Sequence, residues 1–552
     1  MSKNKTIKKA ARSKGKTAIL IIAVALLAGG ATAGSIFGLR YLQENAVVIP
    51  HRYDGVPAGI RLYNDEATKP VRLGAAANFS AGINGERNDF DGFPVYAGMK
   101  QSKNSAGEWV VTIPEHYVKT VWTDDYREMY VADSKIDDTY VLIPKHEIAA
   151  YKGNIETANG KKALHSHKDV YPDFNFTKNE AADLAKNAGA HLNQYTHAMD
   201  LSLLMTIEFG TEDLQEVFSG FTQAGSIEEV EFDIDLQKTG KTNVVRVEAA
   251  TFNESLNDRK IEDVIVPGFT SFCIQEADSY VSSDIATITG FKKANISIQE
   301  SASSESSSAE AESSTVNVYE FTLDKTINFE TEEETLVNRW KERQEADGND
   351  DPDPDEMGTP VMQFGNYIKN GITDGLKGSS HELTEFNGVK LPEGKRPFSY
   401  RGTEGWHGGL YEWLDGVQIR SVNSTDSDKA GAYIEVCDDV DLMSESKAAD
   451  SETPDYKVLA KLGSGNKFAG FGESDKDHIL PPVVTSDEEA SMNDNFWYTN
   501  GSVKESGDDE FTLQPVSRGS YWGSGVDAGP FCLGGDDGFG YWDYGIGARL
   551  GF

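Results

Sequence analysis

Between Thr17 and Leu39 the chain reads TAILIIAVALLAGGATAGSIFGL, with no charged residue, and the sixteen residues before it carry Lys3, Lys5, Lys8, Lys9, Arg12, Lys14 and Lys16 with no acid. A helix rising 1.5 Å per residue over such a run is long enough for a hydrocarbon core of about 30 Å. The pattern predicts a transmembrane anchor over 17–39. The basic tip 1–16 would stay in the cytoplasm and everything after Arg40 would face outside. A rival reading is a cleaved signal peptide, with Ala18–Ala28 as its apolar region and Ala31-Thr32-Ala33 as the cleavage site, which would release the rest as a secreted protein. Apolarity continues through Ile36, Phe37 and Leu39, which favours the anchor.

Past the anchor the periodicity changes several times. Residues 41–150 read as β-rich, with strands at Trp109–Ile113, ended by Pro114, and at Tyr140–Ile143, ended by Pro144. Residues 151–225 contain the helical part. Thr177 and Glu180 have capping-box spacing, Ala181, Leu184, Ala185 and Ala188 fall on one face, and Gly189 suits the C-terminal end. A second helix over 197–209 would bury Met199, Leu203, Leu204 and Ile207, with Met199 and Met205 filling the core. Residues 226–338 read as a separate β unit, with strands at Val244–Ala249, Asp263–Val266, Ala286–Thr289 and Val316–Leu323. Inside it, Ser301–Ser314 has too little apolar content to order itself and predicts a disordered loop.

A second polar break spans 345–358. Asp347, Asn349, Asp351, Asp353 and Asp355 alternate like calcium ligands, but Pro352 stands where an EF-hand needs Gly and Gly358 where it needs Glu, so the stretch reads as an acidic linker. Residues 360–552 interleave aromatics and Gly and predict short strands joined by long ordered loops.

Composition narrows the classes. The chain has 552 residues, 89 acidic against 52 basic, and a net charge of −37. A nucleic-acid partner is excluded, since a phosphate backbone needs a basic footprint. Three cysteines, Cys273, Cys437 and Cys532, are too few for a disulfide scaffold or a four-cysteine zinc site.

Three segments then carry a resemblance. The first is Tyr400-Arg-Gly-Thr-Glu404 with Trp406-His-Gly-Gly-Leu-Tyr-Glu-Trp-Leu-Asp-Gly416. The second is Val516-Ser-Arg-Gly-Ser-Tyr-Trp-Gly-Ser-Gly-Val-Asp-Ala-Gly529 followed by Phe531, and the third is the closing Gly545-Ile-Gly-Ala-Arg-Leu-Gly-Phe552. The first resembles the signature of the formylglycine-generating-enzyme-like branch of the C-type lectin fold. The other two resemble the end of the variable proteins of diversity-generating retroelements and of related phage tail receptor-binding proteins. Asn88-Asp-Phe-Asp91, Val111-Thr-Ile-Pro114 and Ile207-Glu-Phe-Gly-Thr211 resemble upstream parts of such proteins, and 226–338 resembles an insertion some of them carry. The resemblance implies an α+β fold: a C-type-lectin-like domain with an inserted small β unit, after an N-terminal transmembrane helix. Within it Trp413 and Trp522 would fill the core, and Glu404, Glu412, Arg401 and Arg549, if buried, would have to pair.

Catalytic signatures are sparse. The enzymatic relatives oxidise a substrate cysteine with a copper-binding cysteine pair, whereas Cys532 is alone in the matching stretch and Pro530-Phe-Cys-Leu533 reads as packing. No HExxH occurs, and Gly15-Lys-Thr17 and Gly240-Lys-Thr242 lack the earlier Gly of a P-loop. His165 and His167 are metal-ligand types, but the spacing indicates no third ligand, and the pair reads as a solvated loop. The expectation is a protein with no catalytic residues, no metal and no cofactor.

The stretch between Arg518 and Arg549 reads differently. Tyr521, Trp522, Phe539, Tyr541, Trp542 and Tyr544 alternate with Gly and Asp, which is poor core material but good contact material, because Tyr and Trp give large rigid surfaces at low entropy cost. The resemblance implies that Gly523, Ser524, Val526, Asp527, Gly534, Asp536, Asp537, Phe539, Gly540, Tyr541, Asp543 and Tyr544 match diversified positions. Residues 519–547 contain no Lys, Glu, Gln or Met, as adenine mutagenesis of Asn codons would leave them. The expected function is a surface-displayed ligand-binding protein, adhesin- or receptor-like, with Tyr521 and those twelve positions within 519–545 as its contact set and a protein or other cell-surface ligand as partner. The alternatives are a phage virion receptor-binding protein and, least favoured, a formylglycine-generating-type oxidase.

Overall fold

Two helices form where the apolar periodicity places them. Lys178–Asn187 begins at a reciprocal capping box: Thr177 Oγ1 accepts from the Glu180 backbone N–H at 3.2 Å, and Glu180 Oε2 accepts from the Thr177 N–H at 2.6 Å. Tyr195–Phe209 is buried on nearly every side, Met199 and Met205 included, so it is a central helix rather than a surface one. Its buried hydroxyls are satisfied within the core, whereas His197 Nδ1 and Asp200 Oδ2 have no hydrogen-bond partner among the described residues. Ser202 and Thr206 donate to carbonyls one turn back, and Ser202 Oγ accepts the Trp406 indole N–H at 3.0 Å.

The structure, a computed structural model, describes residues 55–552 apart from short internal segments, the longest being 277–283, 300–312 and 440–455. The expected basic tip, anchor and cleavage site lie outside the described residues, as does the Ser/Glu stretch up to residue 312; Ser313 and Ser314 already belong to a strand. Of the acidic stretch, Glu345 and Ala346 close a helix, while 347–351 and 354–356 also lie outside. Among the described residues no helix is long and apolar enough to cross a membrane.

The fold is mixed α+β and strand-rich, with 40% strand and 17% helix. Residues 55–150 form no separate body. One antiparallel sheet runs Val71–Gly74, Ala58–Tyr63, Tyr126–Ala132, His116–Trp122, Val141–Ile143. A second runs His191–Leu192, Leu550–Gly551, His146–Ala149, Trp109–Ile113, Lys100–Lys103, so the last strand of the chain is hydrogen-bonded between two upstream ones. Both expected strands in this region form, the later one as Val141–Ile143.

The C-terminal half is organised by the strand Tyr411–Asn423. It pairs antiparallel with Gly431–Val436 on one side and Glu510–Arg518 on the other, and its first three residues pair in parallel with Ile546–Ala548. One continuous core joins Ile60 and Val131 of the first sheet, Leu201 and Leu204 of the central helix, and Ile419 and Val516 of this sheet.

The β unit inserted between them has its own core, built around Phe252, Phe272, Phe321 and Phe364. Its sheet order is Ile227–Glu231, Pro360–Phe364, Ser271–Glu276, Ala286–Gln299, Ser313–Ile327, Thr242–Glu248. Two expectations need correction. The unit does not end at residue 338, because the helix Phe329–Ala346 packs Phe329 and Leu336 into its core and Pro360–Phe364 lies inside its sheet. Asp263–Val266 is not a strand: Ile261–Val264 is one helical turn, closed by the Ile265 N–H on the Ile261 carbonyl at 2.7 Å, with Pro267 directly after.

Candidate functional site

The C-terminal loops rest on a buried ionic frame. Glu412 is fully buried at the start of the organising strand. Its Oε1 accepts from Arg549 Nε at 3.0 Å and Nη2 at 2.9 Å and from Lys152 Nζ at 2.6 Å; its Oε2 accepts from Arg518 Nη1 at 3.1 Å. Burial pushes the Glu412 carboxyl up, but the three cations outweigh it and hold it down at about 2. Backbone carbonyls take most of the remaining donors, Arg518 Nε being left without a partner among the described residues. Arg549 reaches Ala149, Ala150 and Glu404, Arg518 reaches Trp406, and Lys152 reaches Leu410. The Arg518 guanidinium also lies 3.8 Å from the centre of the Trp406 ring.

A second buried pair joins three segments far apart in sequence. Arg401 grips Glu208 with Nε and Nη2, both at 2.7 Å, and reaches Asp91 Oδ1 at 2.9 Å. Tyr400 Oη and Asn88 Nδ2 also donate to Glu208. Thus Arg401 and Arg549 pair as expected. Glu404 instead accepts from the Gly371 and Thr373 backbone N–H groups and the Thr373 hydroxyl, and burial raises its carboxyl to about 7.

Two loops leave this frame. The first, 519–529, turns so that Tyr521 lies in stacked orientation against Tyr411 at 5.7 Å, Trp522 is buried, and Val526 is 74% exposed. Gly523 is exposed, and Ser524 and Asp527 are half-buried. The loop is pinned by the Gly525 N–H on the Thr222 carbonyl at 2.8 Å and by Gln215, whose amide donates to the Gly525 and Ala528 carbonyls. The second loop, 536–545, exposes Asp536, Gly540 and Tyr541 and leaves Asp537, Phe539, Asp543 and Tyr544 half-buried. The loops meet at their bases, where Tyr544 lies 5.5 Å from Trp522 and Tyr521 packs against Gly545.

Gly534 does not belong with this set. It is buried in the strand Leu533–Gly535, paired with Ser517 and Trp497, and a Cβ there would sit 2.9 Å from Ser517 Oγ. Trp542, which is outside the expected contact set, packs on the inserted unit's core, with the Arg343 guanidinium 4.0 Å from its ring centre. Trp413 and Trp522 are both core, and among the described residues only Trp413 has a partner for its indole N–H, the Phe176 carbonyl at 3.1 Å.

The electrostatics of the second loop are unusual for so acidic a chain. Burial, and then the like charges of Asp536 and Asp543, raise Asp537 to about 6. Beneath the first loop, Asp494 accepts from the Phe531 N–H at 2.7 Å and fits against Gly529 so closely that no Cβ could be added there. Burial raises its carboxyl to about 8.

The chemistry of the cysteines is that of packing. All three are buried and outside any disulfide, and burial pushes Cys532 well above the ordinary thiol range, with the Tyr411 hydroxyl 4.0 Å from its sulfur.

One cluster was not visible as such in the sequence. Glu108 lies against His165 and His167, which supplies the third group that their own spacing did not indicate.

No protein-family model matches this chain, and no curated protein matches it.

A pH prediction follows from Asp494. Its folded value, about 8, lies above the ordinary 3.8, so its contribution to stability is complete below 3.8 and is lost as pH rises through about 8. Asp494→Asn should therefore flatten the fall in unfolding free energy between those limits, read from denaturant midpoints at several pH values. An unchanged slope in the variant would refute the assignment.

Proposed function

We propose that this chain is a surface-displayed ligand-binding protein. Its contact surface is the pair of loops 521–527 and 536–544, carried by a C-type-lectin-like domain of the formylglycine-generating-enzyme-like kind and anchored through the apolar segment 17–39. The observation that carries the reading is the contrast between frame and loops. Glu412, Arg518 and Arg549 have no side-chain exposure, whereas Val526 and Tyr541, on loops sprung directly from them, are 74% and 42% exposed. A rigid support under adaptable polar and aromatic side chains is what an antibody-like contact surface requires. The meeting of Asn88, Asp91, Glu208, Tyr400 and Arg401 supports the domain assignment, since it draws three of the resembling segments to one point.

Catalysis is not part of the proposal. The three cysteines are buried and form no disulfide, and Cys532 is the one cysteine in the C-terminal stretch that resembles the enzymatic relatives, whose oxidase chemistry needs two working together. The ligand is a protein or cell-surface molecule with apolar ground for Val526 and donors for the loop carboxylates.

Peptides selected from a displayed library against the full chain should bind through these loops. Val526→Asp with Tyr541→Ala should weaken most of them at least about 30-fold, the size of a typical hot-spot loss, with the thermal midpoint unchanged. Selected peptides that bind the variant as well as the parent would exclude the surface.

We further propose that the loops are diversified by a retroelement. Sequencing the locus should then reveal a reverse-transcriptase gene and a near-copy of the codons for 519–547. A locus with neither contradicts diversification while leaving the contact surface standing.

A further inference from the structure

We propose that Glu108, His165 and His167 form a binding site for a divalent d-block cation of the zinc type, separate from the loop surface. One ligand atom from each residue lies within 4.8 Å of the other two. His165 Nδ1 is 2.7 Å from Glu108 Oε1, and His167 Nε2 is 3.8 Å from Glu108 Oε2. Tetrahedral zinc with bonds of about 2.0–2.1 Å holds its ligand atoms roughly 3.3 Å apart, a spacing that the three atoms, already within 4.8 Å of one another, reach by side-chain rotation.

The backbone builds the cluster. Asn159 and Gly160, both at positive φ, turn the hairpin that pairs Asn154–Ala158 with Lys161–His165. His165 and His167 leave the end of that hairpin two residues apart, and their rings stack with centres 5.1 Å apart. Glu108 is brought in by the neighbouring strand: the Trp109 N–H donates to the Ser166 carbonyl at 3.2 Å, and the Ser166 N–H donates to Glu108 Oε2 at 2.6 Å.

Two further features point to a cation. Glu108 is only 3% exposed, yet among the described residues the ion pairs it makes are to the two histidines and not to a lysine or arginine. A buried carboxylate of this kind calls for a positive partner. Glu156, in turn, accepts from His167 Nδ1 at 2.7 Å, and Asn154 Nδ2 donates to Glu156 at 3.3 Å. With its proton on Nδ1, His167 presents the Nε2 lone pair toward Glu108, which is the carboxylate–histidine arrangement that orients zinc ligands. Two imidazoles with one carboxylate suit zinc over calcium or magnesium, which prefer all-oxygen shells. The half-exposed histidine rings leave the fourth position facing solvent.

The test is titration of the untagged full chain with zinc chloride by calorimetry, and with cobalt chloride by visible absorption. One equivalent of zinc should bind, and cobalt should develop the d–d bands of a tetrahedral site. His165→Ala with His167→Ala should lower affinity at least 100-fold and abolish those bands. Glu156→Gln, which keeps every ligand, should lower affinity about 10–100-fold. Zinc should also raise the thermal midpoint of the parent but not of the double variant. Metal-free circular dichroism identical in parent and variants establishes that each is folded; should the double variant unfold, Glu156→Gln carries the test alone. Absence of stoichiometric binding by the parent, or undiminished binding by the folded variants, would overturn the proposal.

Discussion

One carboxylate holds the C-terminal half together. Glu412 sits in the interior with Lys152, Arg518 and Arg549 around it, and each of those cations comes from a different stretch of chain. Ionic groups taken out of water lose several kcal/mol of solvation each, which is recovered only when every donor and acceptor is satisfied. Here the excess positive charge is met by the carbonyls of Ala149, Ala150, Glu404, Trp406 and Leu410. The arrangement is therefore nearly fully paired, with Arg518 Nε the one guanidinium donor of the four side chains that lacks a partner among the described residues. The organising strand, the strand Glu510–Arg518 paired with it, the residue before the last strand Leu550–Gly551 and the segment before the 154–165 hairpin together bring the four side chains to this point.

The loops inherit their geometry from that constraint. Arg518 ends one strand and opens the first loop; Arg549 lies within four residues of the end of the second. Their bases are fixed on Tyr411 and Trp522, while Val526 and Tyr541 extend into solvent. The inserted unit adds a second support, because Trp542 packs on its core and Trp522 clusters with its Val266 and Phe269. The insertion thus buttresses the loops rather than hanging apart from them.

Local patterns were legible in the sequence where one element settles its own structure. The capping box at Thr177 and Glu180, the central helix and the strand Trp109–Ile113 all stand where spacing put them. Asp263–Val266 misled because Val, Ile and Val suit a strand, while the actual turn depends on Pro267 and on the Thr270 hydroxyl accepting the Val266 N–H at 2.8 Å. Gly534 entered the contact set through the resemblance alone, and its place in the strand Leu533–Gly535 opposite Ser517 is set by pairing that local sequence does not show. Long-range chemistry left no local trace. Glu108 and His165 are 57 residues apart, and Arg549 and Glu412 are 137 apart. Periodicity carries no information about which buried charges meet.

Hydrogen exchange in the parent and in Glu412→Gln tests most directly whether this carboxylate governs the frame beneath the loops. The account predicts that, in the parent, amides of 411–419, 512–518 and 546–550 exchange only through global unfolding, while those of 521–527 and 536–544 exchange much faster. In Glu412→Gln the three frame segments should lose protection together by at least about 100-fold, matching the roughly 3–5 kcal/mol cost of stripping a buried ion pair of one partner. Frame protection equal to the parent's would contradict the claim.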